Sequence, residues 1–463
     1  MPKNISQTMN NDQICIDKYW YNKFLKIHQY KRKIFKSKDA RIVIKDKHVE
    51  VKSALFNLNK QEKLELLEAL EKKQRKLEKL ESKILRKPKQ KFIHKKYLER
   101  IQSEKLDIQI HKAKLLHKDE LVDLLDEKYS YSHKDNLAFI AEFASFINYL
   151  LHKGRIKNSQ YSKQIIDTLV SLFHITHKEI DFDKITQLHE QRLKKINLLP
   201  RKTFSSEEVQ ILIQNLLDAE GINGISVEIN ENYLFAVLPN LKKIYIPQNL
   251  SISSERLIEI IAHEILGHLL RSLSAEKTVS KTGKCLKLLS LGTKDYLLTE
   301  EGICTYLEQN IFGESDQYDI YRLFDLYLRV IALEISRVKT PYETYKFIKK
   351  LIKLKKEIFP HTTINEHTII QNLLTRLYAD FHTPRIGLSN PKISIYLRGN
   401  RTIWPYLTNH EKFTDLFLGK ISVNEVYDFK KRGYHQPQTY INKIYPFKRL
   451  QMMLYKHVMS FNY

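Results

Sequence analysis

Residues 257–268 read Leu-Ile-Glu-Ile-Ile-Ala-His-Glu-Ile-Leu-Gly-His, and residues 299–304 read Thr-Glu-Glu-Gly-Ile-Cys. The first stretch places a carboxylate, Glu264, beside the first of two imidazoles, and the second stretch adds further carboxylates. Zinc binds neutral imidazole nitrogen and carboxylate oxygen readily, and a catalytic site keeps one position open for water. The two stretches together therefore predict a catalytic zinc site, where a nearby glutamate takes a proton from that water.

The spacing of the two histidines predicts a distortion of the helix that carries them. His263 and His268 are five residues apart, which on a regular helix separates their side chains by roughly 140°. A single π-type turn restores the alignment, and such turns gather at functional sites. Gly267 would ease the distortion. On an undistorted amphipathic helix, the same residues would be two ordinary histidines, one exposed and one buried.

Both stretches resemble the zinc segments of the microtubule-associated tyrosine carboxypeptidase family and its bacterial relatives, over about residues 200–410. That family carries a His-Glu-x-x-x-His motif and a Gln-Glu-Gly-Leu-Ala motif. The resemblance implies that His263, His268 and Glu301 are zinc ligands and that Glu264 is the general base. Two positions depart from the family pattern without removing a ligand: residue 300 is Glu where the motif has Gln, and residue 304 is Cys where it has Ala.

Two later segments extend the resemblance. Residues 376–378 partly match an Arg-Val-Tyr-Arg-Gly element, and residues 392–399 partly match a Phe-Thr-Lys-Asp…Tyr-Leu-x-Gly element. The matching residues are Arg376, Lys392, Tyr396 and Gly399, whereas Ala379 and Ile393 replace the second Arg and the Asp. Arg376, Lys392 and Tyr396 are therefore candidates for substrate binding. The alternative is that the two cations are ordinary surface charges.

Charge is concentrated at the N-terminal end of the chain. The net charge is +25, and residues 1–118 contribute +18 of it, with 32 Lys and Arg against 14 Asp and Glu. The apolar spacing predicts a basic helical hairpin, with one helix over 61–85. It is either a solvated face packed on the next domain or a docking arm for an acidic partner, such as an acidic protein surface. Nucleic acid is the weaker candidate, because no nucleic-acid motif is present.

Cysteine usage and hydropathy bear on location. The three cysteines, Cys15, Cys285 and Cys304, make no disulfide framework, which favours a reducing setting. No apolar run of spanning length is present, and the N-terminal residues lack a signal-peptide core. We therefore expect a cytoplasmic protein without a transmembrane segment.

The coarse pattern predicts an α+β fold that is mostly helical. We expect a basic helical region at 1–118, a second helical region at 119–200 and a catalytic domain at 201–463. Strands predicted over 225–229, 234–238 and 243–247 precede the metal helix, which Ser253 or Ser254 caps. This order, with the third ligand on a later helix, is typical of gluzincin-type peptidases.

These features favour a zinc metallopeptidase, and the resemblance implies a carboxypeptidase that removes a C-terminal Tyr or Phe from a peptide or protein. Two alternatives remain. The same site could serve an endopeptidase or aminopeptidase. The chain could also be a non-catalytic basic binding protein whose metal site is vestigial or structural, closed by a fourth protein ligand such as Cys304.

Overall fold

A computed structural model describes most of the chain. It covers residues 15, 17–28, 40–87, 91–157, 159–176, 183, 187, 190, 202–231, 235–312, 320–360, 365–408 and 412–436. Helices dominate and the sheets are small, so the predicted α+β class is confirmed. Pro200, Arg201 and the tail beyond residue 436 lie outside the described residues, and the three predicted regions remain a prediction.

The N-terminal half is built from helices and one hairpin. Its elements are α1 (Lys18–His28), β1 (Arg41–Lys45), β2 (His48–Lys52), α2 (Lys60–Leu85), α3 (Lys91–Leu115), α4 (Leu121–Lys128), α5 (His133–His152) and α6 (Ser159–Phe173). The predicted helix over 61–85 is confirmed as α2. It begins after Asn59, whose side chain forms a capping box with Glu62. The β1–β2 hairpin was not predicted.

The second half carries the short strands and the metal helix. Its first elements are β3 (Thr203–Ser205), α7 (Ser206–Ala219), β4 (Ser226–Asn230), β5 (Ala236–Leu238), β6 (Lys243–Pro247), β7 (Ser251–Ser253), α8 (Ser254–Ile261), a π-helical segment (Ala262–Leu269) and α9 (Leu270–Lys277). The later helices are α10 (Leu288–Leu291), α11 (Tyr296–Asn310), α12 (Ile320–Val338), α13 (Pro341–Ile358), α14 (Glu366–Tyr378), α15 (Ile395–Thr408) and α16 (Val423–Lys431).

The three predicted strands form one mixed sheet in the order β4-β6-β5. β4 pairs parallel with β6, and β5 pairs antiparallel with β6. The predicted start of the middle strand, Leu234, lies outside the described residues. β5 is an edge strand of this sheet and contacts the π-helical segment. A separate antiparallel pair, β3 with β7, was missed because strands of three residues carry too little periodicity.

The described residues form two large hydrophobic cores. The first joins α1, α2 and α3 to α7, the sheet and the metal helix, and it contains Leu77, Ile101, Leu257 and Ile261. The second joins α5 and α6 to α12, α13 and α14, and it contains Phe146. The basic hairpin therefore shares a core with the metal helix and contributes to its packing.

The N-terminal segment is also linked covalently to the catalytic region. The structure pairs Cys15 with Cys285 in a disulfide, so the expectation of no disulfide is wrong. The Asp17 carboxylate accepts hydrogen bonds from the backbone N–H groups of Lys287 and Leu288, both at 2.9 Å. These contacts bring the two cysteines together across 270 residues of sequence, a proximity that cysteine counting does not reveal. In the part of the chain that the structure describes, no helix is long and apolar enough to cross a membrane.

A buried carboxylate connects the first three helices. Glu104 on α3 lies 2.6 Å from His28 Nδ1 on α1, 3.0 Å from Lys73 Nζ on α2 and 3.1 Å from Arg100 Nη2. Lys73 is a charged residue between the buried apolar residues Leu70 and Leu77 of α2, and its charge is paired with Glu104. Burial by itself would raise the pKa of Glu104, but the charges of His28, Arg100 and Lys73 outweigh it and lower the pKa well below its usual value.

Glu104→Gln should destabilise the protein by about 3–5 kcal/mol at neutral pH, because it leaves buried cations without their carboxylate. Since the folded-state pKa is lowered, this stabilisation is present above the unfolded pKa and is lost as the pH falls through the folded pKa. Urea unfolding at several pH values measures the difference. Glu71→Gln is the control, because Glu71 pairs with Arg75 at 3.8 Å on an exposed surface. Equal losses of stability in the two variants would contradict the stabilising role of the Glu104 carboxylate.

Candidate active site

The metal helix is distorted where its histidine spacing requires it. Residues Ala262–Leu269 form a π-helical segment between α8 and α9, so the predicted π-type turn is confirmed. As a result, the imidazoles of His263 and His268 lie on the same side, with ring centroids 5.1 Å apart. Ser253 caps α8 as expected, its side chain accepting a hydrogen bond from the backbone N–H of Arg256.

Helix α11 faces these imidazoles with two side chains, three residues apart. Glu301 Oε2 lies 3.7 Å from His263 Nε2, and Cys304 Sγ lies 3.6 Å from His268 Nε2. Glu301 Oε2 is buried and has no hydrogen-bond partner among the described residues. An orphaned carboxylate oxygen beside an imidazole nitrogen fits a site that binds a cation.

One group of three potential ligands among the described residues differs from the predicted set. Ligand atoms of His263, His268 and Cys304 all lie within 4.8 Å of one another. Cys304 is fully buried, and burial raises the pKa of its thiol to about 12. The donor set of imidazole, carboxylate and sulfur suits zinc. The structure thus groups His263 and His268 with Cys304 and places Glu301 beside His263.

Each imidazole also has a carboxylate near its Nδ1 atom. His263 Nδ1 lies 3.3 Å from Glu308 Oε1, and His268 Nδ1 lies 3.7 Å from Glu300 Oε2. Carboxylates in this position fix the orientation of a metal-binding imidazole. Glu308 was not predicted as a site residue, although it lies seven residues after Glu301, which places both on one helix face.

Glu300 is held in turn by buried cations. Lys420 Nζ lies 3.2 Å from Glu300 Oε1. Arg271, which is fully buried, donates hydrogen bonds to the carbonyls of Leu416 and Ile421 at 3.1 Å and 2.6 Å and so fixes the segment that carries Lys420. Burial alone would raise the pKa of Glu300, but the charges of Lys420, His268 and Arg271 lower it.

Two glycines allow α11 to pack closely against the metal helix and against α15. A Cβ atom at Gly267 would overlap the sulfur of Cys304, and a Cβ atom at Gly302 would overlap the backbone of Gly399 on α15. Glycine lets the backbones approach this closely. The family position Gly399 therefore has a packing role, because it fixes the helix that carries Glu301.

Glu264 stands apart from the other acidic groups of the site. Its side chain is half-buried, and it makes no hydrogen bond or ion pair with a described residue. The other carboxylates near the histidines face an imidazole, as Glu301 and Glu308 do, or a cation, as Glu300 does. Glu264 is therefore the carboxylate that remains available to accept a proton.

The three candidate substrate-binding residues lie together. Arg376, Lys392 and Tyr396 line a cavity of about 170 Å³. Arg376 Nη1 lies 3.3 Å from the Tyr396 hydroxyl, and the guanidinium of Arg329 lies 4.6 Å from the Tyr396 ring centroid. Arg329 was missed, because a single arginine on a helix carries no motif. Tyr378 is fully buried in the second core and does not line this cavity.

These cations are not neutralised locally. No carboxylate of a described residue lies within ion-pair distance of Arg329, Arg376 or Lys392. Asp380 also lines the cavity, but it pairs with Lys114 at 2.5 Å. The charge of Tyr129 holds the pKa of Lys392 above its usual value, and Tyr396 and Glu301 act in the same direction. The cavity therefore carries a net positive charge.

A family model described as microtubule-associated tyrosine carboxypeptidase matches residues 137–363. The resemblance to this family is confirmed. The match begins earlier than the sequence motifs suggested and includes the α5 and α6 helices, whose apolar patterns carry no recognisable motif. Both segments of the predicted metal site lie inside it, whereas Arg376, Lys392 and Tyr396 lie beyond its end. The family description supports peptidase activity of the carboxypeptidase type. No curated protein matches the chain.

Glu300→Gln, which restores the residue of the family motif, should destabilise the chelator-treated protein by about 3–5 kcal/mol. The change leaves the buried Lys420 ammonium without its carboxylate. The double variant Glu300→Gln/Lys420→Met should recover most of this loss, because it also removes the unpaired charge. Urea unfolding of both variants measures the effect, and a double variant as unstable as the single one would contradict the proposed pairing.

Proposed function

We propose that the chain is a zinc-dependent carboxypeptidase that removes a C-terminal Tyr or Phe from a peptide or protein. One observation carries the proposal: the chain has both a cluster of potential metal ligands and a cavity whose cations have no carboxylate partner among the described residues, and the charge of Glu301 influences the pKa of Lys392 in that cavity. A metal-binding group for the scissile carbonyl and a cationic group for a terminal carboxylate are the two parts that a metallocarboxypeptidase needs.

In this proposal His263, His268 and Glu301 hold Zn²⁺. When bound, zinc supplies a Lewis acid that polarises the peptide carbonyl and lowers the pKa of the attacking water. Glu264 takes the proton from that water and later delivers it to the leaving amine. The free, half-buried carboxylate of Glu264 supports this role. We also retain the gluzincin-type arrangement as part of the proposal, supported by an edge strand, β5, against the metal helix.

The cationic cavity would bind the substrate's terminal carboxylate. Arg376 and Lys392 are the proposed partners, and arginine offers two parallel hydrogen bonds to a carboxylate. Arg329 adds a third charge near Tyr396. The ring of Tyr396 would contact the last side chain of the substrate, which favours an aromatic residue at that position.

The structure disfavours an aminopeptidase and leaves a structural zinc site as an alternative. An aminopeptidase needs carboxylates facing the substrate's terminal amine, whereas Asp380, the carboxylate that lines the cavity, already pairs with Lys114. A structural zinc site remains an alternative, and the position of Cys304 near His268 is the observation in its favour. A cytoplasmic location and an acidic protein partner for the basic N-terminal region remain predictions. The Cys15–Cys285 disulfide is more typical of an oxidising compartment.

We expect one zinc ion per chain in the purified protein, measured by atomic emission. Removing a ligand in His263→Ala, His268→Ala or Glu301→Ala should abolish or greatly weaken metal binding. Glu264→Gln should retain zinc and lower turnover by about 10²–10⁴-fold, since it removes the base and not a ligand. His152→Ala, at an exposed helical histidine, is the matched control. Full metal content in His268→Ala would refute the ligand assignment.

The direction of cleavage can be tested with two forms of one peptide. A peptide ending in Tyr with a free carboxylate should be shortened by one residue, and the same peptide with a C-terminal amide should resist cleavage. Mass spectrometry identifies the product. Cleavage of the amide at the rate of the free acid would favour the endopeptidase alternative.

Arg376→Ala and Lys392→Ala should each lower kcat/KM by roughly tenfold to a hundredfold without loss of zinc. A truncated charge-assisted contact is typically worth about 1.5–3 kcal/mol. Arg385→Ala is the control, because Arg385 is exposed and pairs with Asp119 outside this cavity. If Arg385→Ala and Arg376→Ala reduce kcat/KM equally, the cavity does not recognise the carboxylate.

A further inference from the structure

The sulfur of Cys304 occupies a position that a metal ligand would take. In a tetrahedral zinc site, Zn–S and Zn–N bonds of about 2.3 Å and 2.1 Å place sulfur and nitrogen about 3.6 Å apart. Cys304 Sγ lies 3.6 Å from His268 Nε2, which equals that separation. The ligand nitrogen of His263 lies within 4.8 Å of both atoms.

Other parts of the fold make room for this sulfur. The Cys304 side chain is fully buried, and it fits against the metal helix only because residue 267 is glycine. On the same face of α11, Glu301 Oε2 is buried without a hydrogen-bond partner among the described residues and lies 3.7 Å from His263 Nε2. Two nitrogens and one sulfur therefore lie within 4.8 Å of one another, and a carboxylate oxygen adjoins one of the nitrogens.

We propose that Cys304 is a fourth, displaceable metal ligand that closes the site in its resting form. This inference rests on the proposed function, because it concerns the same metal. On binding, the sulfur donates a lone pair and its proton leaves to solvent. Four protein ligands leave no tetrahedral position for water. Turnover then requires the sulfur to leave the metal and take a proton back, with no change in oxidation state.

Cobalt substitution tests the sulfur bond directly. The Co²⁺-loaded wild-type protein should show a sulfur-to-cobalt charge-transfer band in the near ultraviolet. Cys304→Ala should lose this band and keep the visible d–d bands of bound cobalt. Cys15→Ser, which alters a cysteine far from the metal in sequence, should keep the charge-transfer band. Cys304→Ser repeats the experiment with a side chain of nearly the same size, should the alanine variant fail to fold.

Metal retention and turnover give a second measurement. In competition with a chelator, Cys304→Ala should hold zinc at least about tenfold more weakly than the wild type. With zinc in excess, it should hydrolyse a Tyr-terminated peptide faster than the wild type, because no sulfur has to leave the metal first. A wild-type cobalt spectrum without the charge-transfer band would overturn the proposal, while zinc content and hydrolysis would leave the carboxypeptidase assignment intact. Failure of the wild type to bind metal through His263 would overturn both.

Discussion

The site depends on one backbone constraint, which is the spacing of the two histidines. They are five residues apart, one more than the four-residue spacing that places side chains on one face of a regular helix. A regular helix would direct His263 and His268 to different sides, and no single ion could bind both. The π-helical segment aligns them and gives up regular helical hydrogen bonds in doing so. Buried apolar neighbours, Ile265 and Leu266 among them, stabilise the segment within the first core. The alignment of the two imidazoles is therefore maintained by the packing around the π-helical segment.

Charge is distributed in two opposite ways around this segment. Behind the imidazoles, Glu300 and Glu308 supply negative charge, and Lys420 neutralises the more deeply buried of the two. The family motif has Gln at residue 300, so the Glu in this chain requires a buried cation that the amide would not need. In the cavity that they line, Arg376 and Lys392 lack carboxylate partners among the described residues, which suits the recognition of an anion from outside the protein.

The basic N-terminal region has a structural role that its charge conceals. Its helices bury leucines and isoleucines in the core that supports the metal helix, and Glu104 holds three of them together through cations. The Cys15–Cys285 disulfide adds a covalent link. Much of the positive charge consequently belongs to a framework that supports the site, and docking on an acidic partner would use only its exposed lysines.

The sequence by itself determined the mostly helical class, helix α2, the three strands of the mixed sheet, the π-type turn and the alignment of His263 with His268. These follow from short-range periodicity, spacing and motif chemistry. Only the tertiary structure decided the roles of Glu308, Arg329 and Lys420, the contact of Cys304 with His268 and the pairing of Cys15 with Cys285. Such contacts join residues far apart in the chain, and their formation depends on how the helices pack, which local sequence patterns do not encode.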